Sequence, residues 1–437
     1  MTISPAPPAT DIIETITDVP YPPPSRPAGP GLRTAPGTGL ASWIGWQRVW
    51  PLYGAFALYA GAVAVFSGPG EDRSWGIWAA FGYAAAAALA ALWPGRAGRR
   101  AALAASVAGA LAAPVAWLAT QASATPDVHV VSGSAVLLLH HGTPYLDPAQ
   151  LAHGGVLSYN PYLPVMTIFG LPHAMGLPGL AGDTRPWLVL ATFGLLAAAL
   201  RIAGPAGRPR GAALGLAAFA IASPVLAFPL AEGITDPPMI ALTVLALALL
   251  TRPGTRIWPG TRIWPAALVF GAACAMKYTA WPALVVLAAM LAARDGARVA
   301  ARFTVLTCAA AAALTAALAP ASLAAPAGLI DSTVRFPLGL TAARSPAQSP
   351  LPGHALATLG PAGHQAAIAL LIVSGLALAA WMVIRPPAGT SAAAVRIALG
   401  LALMFALSPV TCFGYFAYPI ALLAWAGLCR DRRAGAR

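Results

Sequence analysis

The stretch DVHVVSGSAVLLLHHGTPYLDP, Asp127 to Pro148, gathers two aspartates, three histidines and a tyrosine around the apolar run Ala135 to Leu139. A carboxylate at the edge of an apolar layer holds its proton more tightly, which suits Asp127 to work as a general base. The same residue also fits a helix cap ahead of VHVV. A second stretch, LAEGITDPPMIAL, sets Glu232 and Asp236 between two apolar runs. Such a pair suits a metal or sugar hydroxyls, while Asp236 before two prolines also fits a helix start. The only lysine, Lys277 in CAMKYTAWP, interrupts an apolar stretch over 264–293. One long helix there would bury an ammonium group at considerable cost. Two short helices meeting at Lys277 would instead set it among lipid headgroups, as a partner for a lipid phosphate or as a snorkelling side chain. Arg335, in a later polar segment, can pair with phosphate or an acid, or simply be solvated. His140 and His141 lack the i, i+4 spacing of a helical metal pair. No ligand set specifies a metal, so a divalent metal is left open.

These groups need a scaffold, and composition restricts it. The chain is 58% hydrophobic and 9% charged, with a mean hydropathy of +0.72. Soluble domains carry about 25% charge. The apolar runs fall at roughly 51–67, 75–93, 101–121, 186–203, 211–230, 238–250, 264–276, 281–293, 303–319, 365–383, 394–408 and 411–428. An all-α polytopic membrane protein with about 10–12 transmembrane helices follows. Continuous rather than alternating runs argue against a β-barrel, and abundant Ala and Gly allow close helix approach. The four cysteines all lie in apolar segments without a CxxC pair and read as small core residues.

The net charge of +13 is explained by arginines in short loops, so no nucleic-acid partner is expected. One alternate set of loops (94–100, 201–210, 251–262, 294–302, 384–396 and 430–437) is arginine-rich and holds only two acids, Asp295 and Asp431. The other set (68–74, 122–185, 231–237, 277–280, 320–364 and the 408–411 turn) holds eight acids, all seven histidines and Lys277. The positive-inside rule makes the first set and both termini cytoplasmic, and puts the polar chemistry outside. Residues 1–48 read as a disordered, Pro-rich cytoplasmic tail. A hexapeptide repeat, TRIWPGTRIWPA, lies in an arginine-rich loop and reads as a local duplication. The two long loops on the acidic side, 122–185 and 320–364, carry aromatic and apolar residues, as segments packed over the mouth of a bundle would. No P-loop, GxSxG or Rossmann fingerprint occurs.

Three segments taken in order resemble a known family. DVHVVSGSAVLLLHHGTPYLDP with the following SYNPYLPVMTIFGLP, then EGITDPPMIALTVLALALL, then GAACAMKYTAWPALVVL are similar to motifs of the GT-C superfamily of integral-membrane glycosyltransferases. The resemblance is nearest to glycosyltransferase family 87, which includes polyprenol-phosphate-mannose-dependent mannosyltransferases. It implies a transmembrane glycosyltransferase domain over 49–434 that uses a polyprenyl-phosphate sugar, mannose favoured, outside the membrane. The acceptor would be a lipid-linked or envelope glycan, and the anomeric centre would invert.

By that resemblance Asp127 is the base that deprotonates the acceptor hydroxyl and Lys277 contacts the donor phosphate. Tyr145, Asp147, Tyr159, Asn160 and Tyr162 line the sugar site. Glu232, Asp236, Tyr278 and Arg335 complete the substrate-binding set. The chain departs from the family in one respect: the acidic loop follows the third apolar run rather than the first. The runs 51–67 and 75–93 then form an added N-terminal hairpin, whose Glu71 and Asp72 compete with Asp127 as the first acid. Asp127 is preferred because GTPY and YNPYLP follow it. The competing function is a transporter or flippase for a lipid-linked sugar, which should carry its charges near the membrane midplane. The enzyme reading requires Asp127, Asp236 and Lys277 to converge.

Overall fold

A computed structural model describes residues 49–121, 125–204, 212–251, 263–343 and 345–434. The expected tail over 1–48 and most of the hexapeptide repeat lie outside the described residues. Helices dominate, and no strand occurs among the described residues.

Three helices open the fold: α1 Trp50–Phe66, α2 Glu71–Leu92 and α3 Arg96–Thr120. α4, Pro126–His141, carries the acidic stretch. One helix and a bent pair follow: α5 Thr184–Ala203, then α6 Ala212–Ile221 and α7 Pro224–Glu232. α8 Asp236–Leu250, α9 Ile263–Cys274, α10 Trp281–Asp295 and α11 Ala297–Leu318 continue the bundle. α12 Pro361–Ile384, α13 Thr390–Leu407 and α14 Ala417–Ala434 complete it.

Among the described residues six helices are long and apolar enough to cross a membrane: α2, α3, α5, α11, α12 and α13. The pair α6–α7, bent by 65°, would be a seventh span. Four further apolar helices are shorter: α1, α8, α9 and Phe413–Cys429. The single run expected over 211–230 is therefore two helices. Pro224 stands at the start of α7, where its missing N–H and its bias against a helical residue before it favour a break. The stretch 264–293 is likewise two helices, α9 and α10, parted at an extended Lys277.

The loops sort into two groups by their contacts. At one end Glu71 pairs with Arg185, Thr143 hydrogen-bonds Ser322 at 2.7 Å, and His354 Nδ1 meets the Pro409 carbonyl at 2.9 Å. Tyr159 stacks on Phe336 with centroids 4.9 Å apart. At the other end Arg294 donates to the Leu250 carbonyl at 2.8 Å and Arg396 to the Arg385 carbonyl. The acidic loops thus meet one another, while on the arginine side Arg294 reaches the end of α8 and Arg396 closes its own loop.

α4 does not lie free on a surface. Val128, Val130, Val131, Ser134 and Ala135 are buried, and the 3-10 segment Pro164–Gly170 packs on that face. A Cβ on Gly170 would stand 2.3 Å from the Val131 carbonyl oxygen, so the fit requires glycine.

Candidate active site

Thr125, not Asp127, caps α4: its hydroxyl accepts from the Val128 amide at 3.4 Å. Pro126 occupies the first turn, and Gly142 closes the helix at φ +67°. Asp127 therefore sits in the first turn, where the helix dipole favours a carboxylate and leaves its side chain free for long-range contacts. The Thr125 hydroxyl also donates to the Glu232 carbonyl at 3.0 Å, which ties the start of α4 to the end of α7.

α7 ends in a left-handed Gly233 at φ +82°. The Gly233 amide donates to Leu230 and the Ile234 amide to Pro229, at 3.2 and 2.8 Å. This cap turns the chain sharply, so that Thr235 and Asp236 open α8 facing α4. A Cβ on Gly233 would fall 2.3 Å from Val128 Cγ2, so the turn is also a close approach. The Thr235 amide and hydroxyl both donate to Asp127 Oδ2, at 3.3 and 3.4 Å.

Lys277 arrives from the α9–α10 break. The Leu163 amide donates to Met276 and the Val165 amide to Ala275, at 3.0 and 3.1 Å. This short backbone pairing brings the NPYLP segment beside Lys277. Its ammonium lies 5.2 Å from the Tyr162 ring centre and 5.7 Å from that of Tyr415, within cation–π range. It forms an ion pair with Asp236 and reaches the Thr235 hydroxyl at 3.5 Å. Asp236 also accepts from the Tyr418 hydroxyl, which stands 3.4 Å from Thr279. Lys277 is 6% exposed and Asp236 3%. The lysine thus points inward to a carboxylate rather than snorkelling outward.

Asp127 is half-buried. Burial pushes its carboxyl above the usual aspartate range, opposed by the Lys277 charge and a Tyr162 hydrogen bond, with the Asp236 charge adding to the rise. Burial likewise raises the phenols of Tyr145 and Tyr162. Asp127, Asp236, Lys277 and Tyr162 thus form one cluster.

The remaining residues named from sequence serve other contacts. The Tyr145 hydroxyl donates to the Tyr162 carbonyl at 2.8 Å. Asn160 donates to the Pro144 carbonyl at 3.2 Å and accepts from the Tyr162 amide at 3.0 Å. Both brace the loop that presents Tyr162. Tyr159 joins the two long loops through Phe336. Asp147 is exposed and caps Pro148–His153 through a reciprocal pair with Gln150. Tyr278 is exposed at the α9–α10 break. Arg335, its side chain 61% exposed, pairs with Asp331 one turn back at 2.9 Å. Glu232 faces the other way from the cluster, toward Asp72, Glu71 and Arg185, and its Oε1 has no hydrogen-bond partner among the described residues.

Thr235, Thr279, Tyr415 and Tyr418 belong to the site but escape sequence reasoning. Thr235 lies within the GITD motif, and its place between two acids is the signal that could have found it. Tyr415 and Tyr418 fall in an apolar run over 411–428, where aromatic residues read as lipid-facing. Among the described residues, no group of three or more His, Cys, Asp or Glu side chains could hold a metal ion.

Comparison with curated proteins and with solved structures returns no match. The family model described as glycosyltransferase family 87 matches residues 160–409, more than half of the chain. That range takes in Tyr162, Thr235, Asp236 and Lys277 and begins after Asp127. On that match, set on a helical bundle with membrane-length spans, the chain belongs to glycosyltransferase family 87 and is a glycosyltransferase.

Proposed function

We propose that the chain transfers a sugar, mannose favoured, from a polyprenyl-phosphate donor to a lipid-linked or envelope glycan hydroxyl. The reaction takes place on the extracytoplasmic face and inverts the anomeric centre. Asp127 accepts the hydroxyl proton as the acceptor oxygen attacks the anomeric carbon. The bond from that carbon to the donor phosphate oxygen breaks, and the polyprenyl phosphate leaves with the bonding electrons. Lys277 faces the phosphate charge, with the Tyr162 and Tyr415 rings around its ammonium.

The convergence of Asp127, Thr235, Asp236 and Lys277 carries this reading. These residues come from three separate segments, and one carboxylate is held by hydrogen bonds beside the chain's only lysine. A base with raised proton affinity is better matched to a neutral working pH. The contacts that join the acidic loops to one another, with the arginines concentrated in the alternate loops, support the assigned sidedness.

The test is transfer by the purified protein from polyprenyl-phosphate mannose to a lipid-linked glycan. Asp127→Asn should keep donor binding and lose about 10²–10⁴-fold in turnover, the range for a general base. An Asp127→Asn protein with full activity would overturn the base assignment. Transfer from a soluble nucleotide sugar alone would overturn the donor class.

A further inference from the structure

We propose that the N-terminal hairpin α1–α2 is a positioning element of the active site: α2 holds α7 at both ends and thereby sets the Gly233–Asp236 turn against Asp127. The hairpin lies ahead of the residues matched by the family model. The inference rests on the reading of Asp127 and Thr235 as parts of the reacting site.

Two contacts along α2 reach the start and middle of α7, and a third reaches its far end through Arg185 of α5. At the bend, the Tyr83 hydroxyl donates to the Ala222 carbonyl at 2.6 Å. The break between α6 and α7 removes helical partners from carbonyls there, and a buried tyrosine supplies one. In the middle, Trp75 packs on Phe228 with ring centres 4.6 Å apart. Its indole N–H is anchored on the Ala110 carbonyl at 3.0 Å, inside the π-turn of α3. At the far end, Glu71 pairs with Arg185 at 3.5 Å, and Arg185 with Asp183 at 2.8 Å. Arg185 is 1% exposed. Its Cγ would lie 3.1 Å from a Cβ placed on Gly233, so the guanidinium stem abuts the turn itself. Glu232, the last residue of α7, faces Asp72 and Glu71 in the same cluster.

The hairpin is itself rigidly held. A Cβ on Gly76 would fall 2.5 Å from the Ala64 amide nitrogen, and one on Gly82 2.5 Å from Gly109 Cα. α2 therefore contacts α1 and α3 backbone to backbone, a packing that resists sliding. A rod seated in this way fixes both ends of α7. One residue beyond Gly233 and Ile234, Thr235 makes its two hydrogen bonds to Asp127. Displacement of α7 by even part of an ångström would lengthen bonds that stand at 3.3 and 3.4 Å. Glu71, Tyr83 and Arg185 act through Thr235 and are positioning residues.

The experiment uses the full-length protein in lipid nanodiscs. Glu71→Gln and Tyr83→Phe are made alone and together with Thr235→Val. Each single variant should lower kcat about fivefold, with the donor KM within about twofold, as expected for a lost interaction felt only in the reacting geometry. In the Thr235→Val background, where the hydroxyl bond is gone and only the amide bond to Asp127 remains, the same changes should cost about twofold, clearly less than beside Thr235. Equal losses in both backgrounds, or unchanged kcat in the singles, overturn the proposal. Hydrogen exchange provides a readout independent of catalysis. The peptide spanning 233–236 should exchange at least about fivefold faster in both single variants, and unchanged exchange again overturns the proposal. Faster exchange in a protein that transfers no sugar from polyprenyl-phosphate mannose would sink the donor reading and leave the positioning role standing.

Discussion

Thr235 gives both its backbone N–H and its hydroxyl to one oxygen of Asp127, at 3.3 and 3.4 Å, while the same hydroxyl lies 3.5 Å from the Lys277 ammonium. A single side chain thus links the proposed base to the proposed phosphate partner. The hydroxyl has one proton to give. Given to Asp127, it leaves the oxygen lone pairs facing Lys277, so the arrangement is self-consistent in charge.

Thr235→Ala should therefore lower kcat about tenfold, since a hydrogen bond to a charged group contributes about 1.5 kcal/mol or more. Thr235→Ser should keep most of the activity, because amide and hydroxyl both remain. Initial rates at saturating donor check this. An Ala variant as active as wild type would show that the hydroxyl does not orient Asp127.

The pH profile should report the buried carboxyl. Asp127 must be ionised to accept a proton, and burial holds its proton affinity above that of an ordinary aspartate. Activity should fall on the acid side through an apparent pKa above the ordinary value of about 3.9. Stability should move the opposite way. The folded chain binds this proton more tightly than the unfolded chain, so it loses stability as pH rises from the unfolded value through the folded one. Asp127→Asn removes that cost and should raise the melting temperature at neutral pH while lowering turnover about 10²–10⁴-fold. A lowered melting temperature in the Asn protein would contradict the direction of the shift.

The parts of this site that can be read from sequence are the ionisable ones. In a chain that is only 9% charged, an acid or lysine next to an apolar run stands out, and Asp127, Asp236 and Lys277 do meet. The helical bundle is readable for the same reason, because long apolar runs have few alternatives to membrane helices. What escapes is which polar atom satisfies which. Tyr145, Asn160 and Tyr159 have side chains suited to a sugar, yet the fold uses them on the Tyr162 carbonyl, the Pro144 carbonyl and the Phe336 ring. Asp147 is a cap, and Glu232 turns toward the N-terminal hairpin. Those outcomes depend on backbone groups brought together over long sequence separations, which residue type does not encode. Tyr415 and Tyr418 are missed because a tyrosine in an apolar run has the same local pattern whether it faces lipid or a buried carboxylate.

The Lys277–Asp236 pair should behave as one unit. Removing one partner leaves the other buried without its counter-charge, at a cost of about 3–5 kcal/mol in buried pairs. Lys277→Met and Asp236→Asn should each lower the melting temperature in detergent. The double variant should lose less than the two single losses combined. Strictly additive losses would mean that the two groups do not compensate each other in the folded protein.

Asp147 separates a cap from a ligand. Its carboxylate accepts from the Gln150 amide at 2.8 Å, and the Gln150 side chain answers to the Asp147 amide at 3.2 Å. Asp147→Ala should cost about 1 kcal/mol of stability, as helix caps do, with kcat and both KM values within about twofold of wild type. Asp147→Asn and Asp147→Ser, both good caps, should restore the stability. A large rise in acceptor KM with unchanged stability would instead return Asp147 to the sugar site.

Sidedness can be tested at Gln150, which is exposed beside that cap. It lies in the same long acidic loop, 122–185, as Asp127. Arginine-rich loops stay in the cytoplasm because translocating them across the membrane is unfavourable. With the native cysteines replaced, Gln150→Cys in intact cells should react with a membrane-impermeant maleimide. A cysteine at Arg298, exposed at the start of α11 on the arginine side, should react only after the cells are opened. The reverse pattern would place the acidic end in the cytoplasm, where a polyprenyl-phosphate sugar presented outside could not reach Lys277.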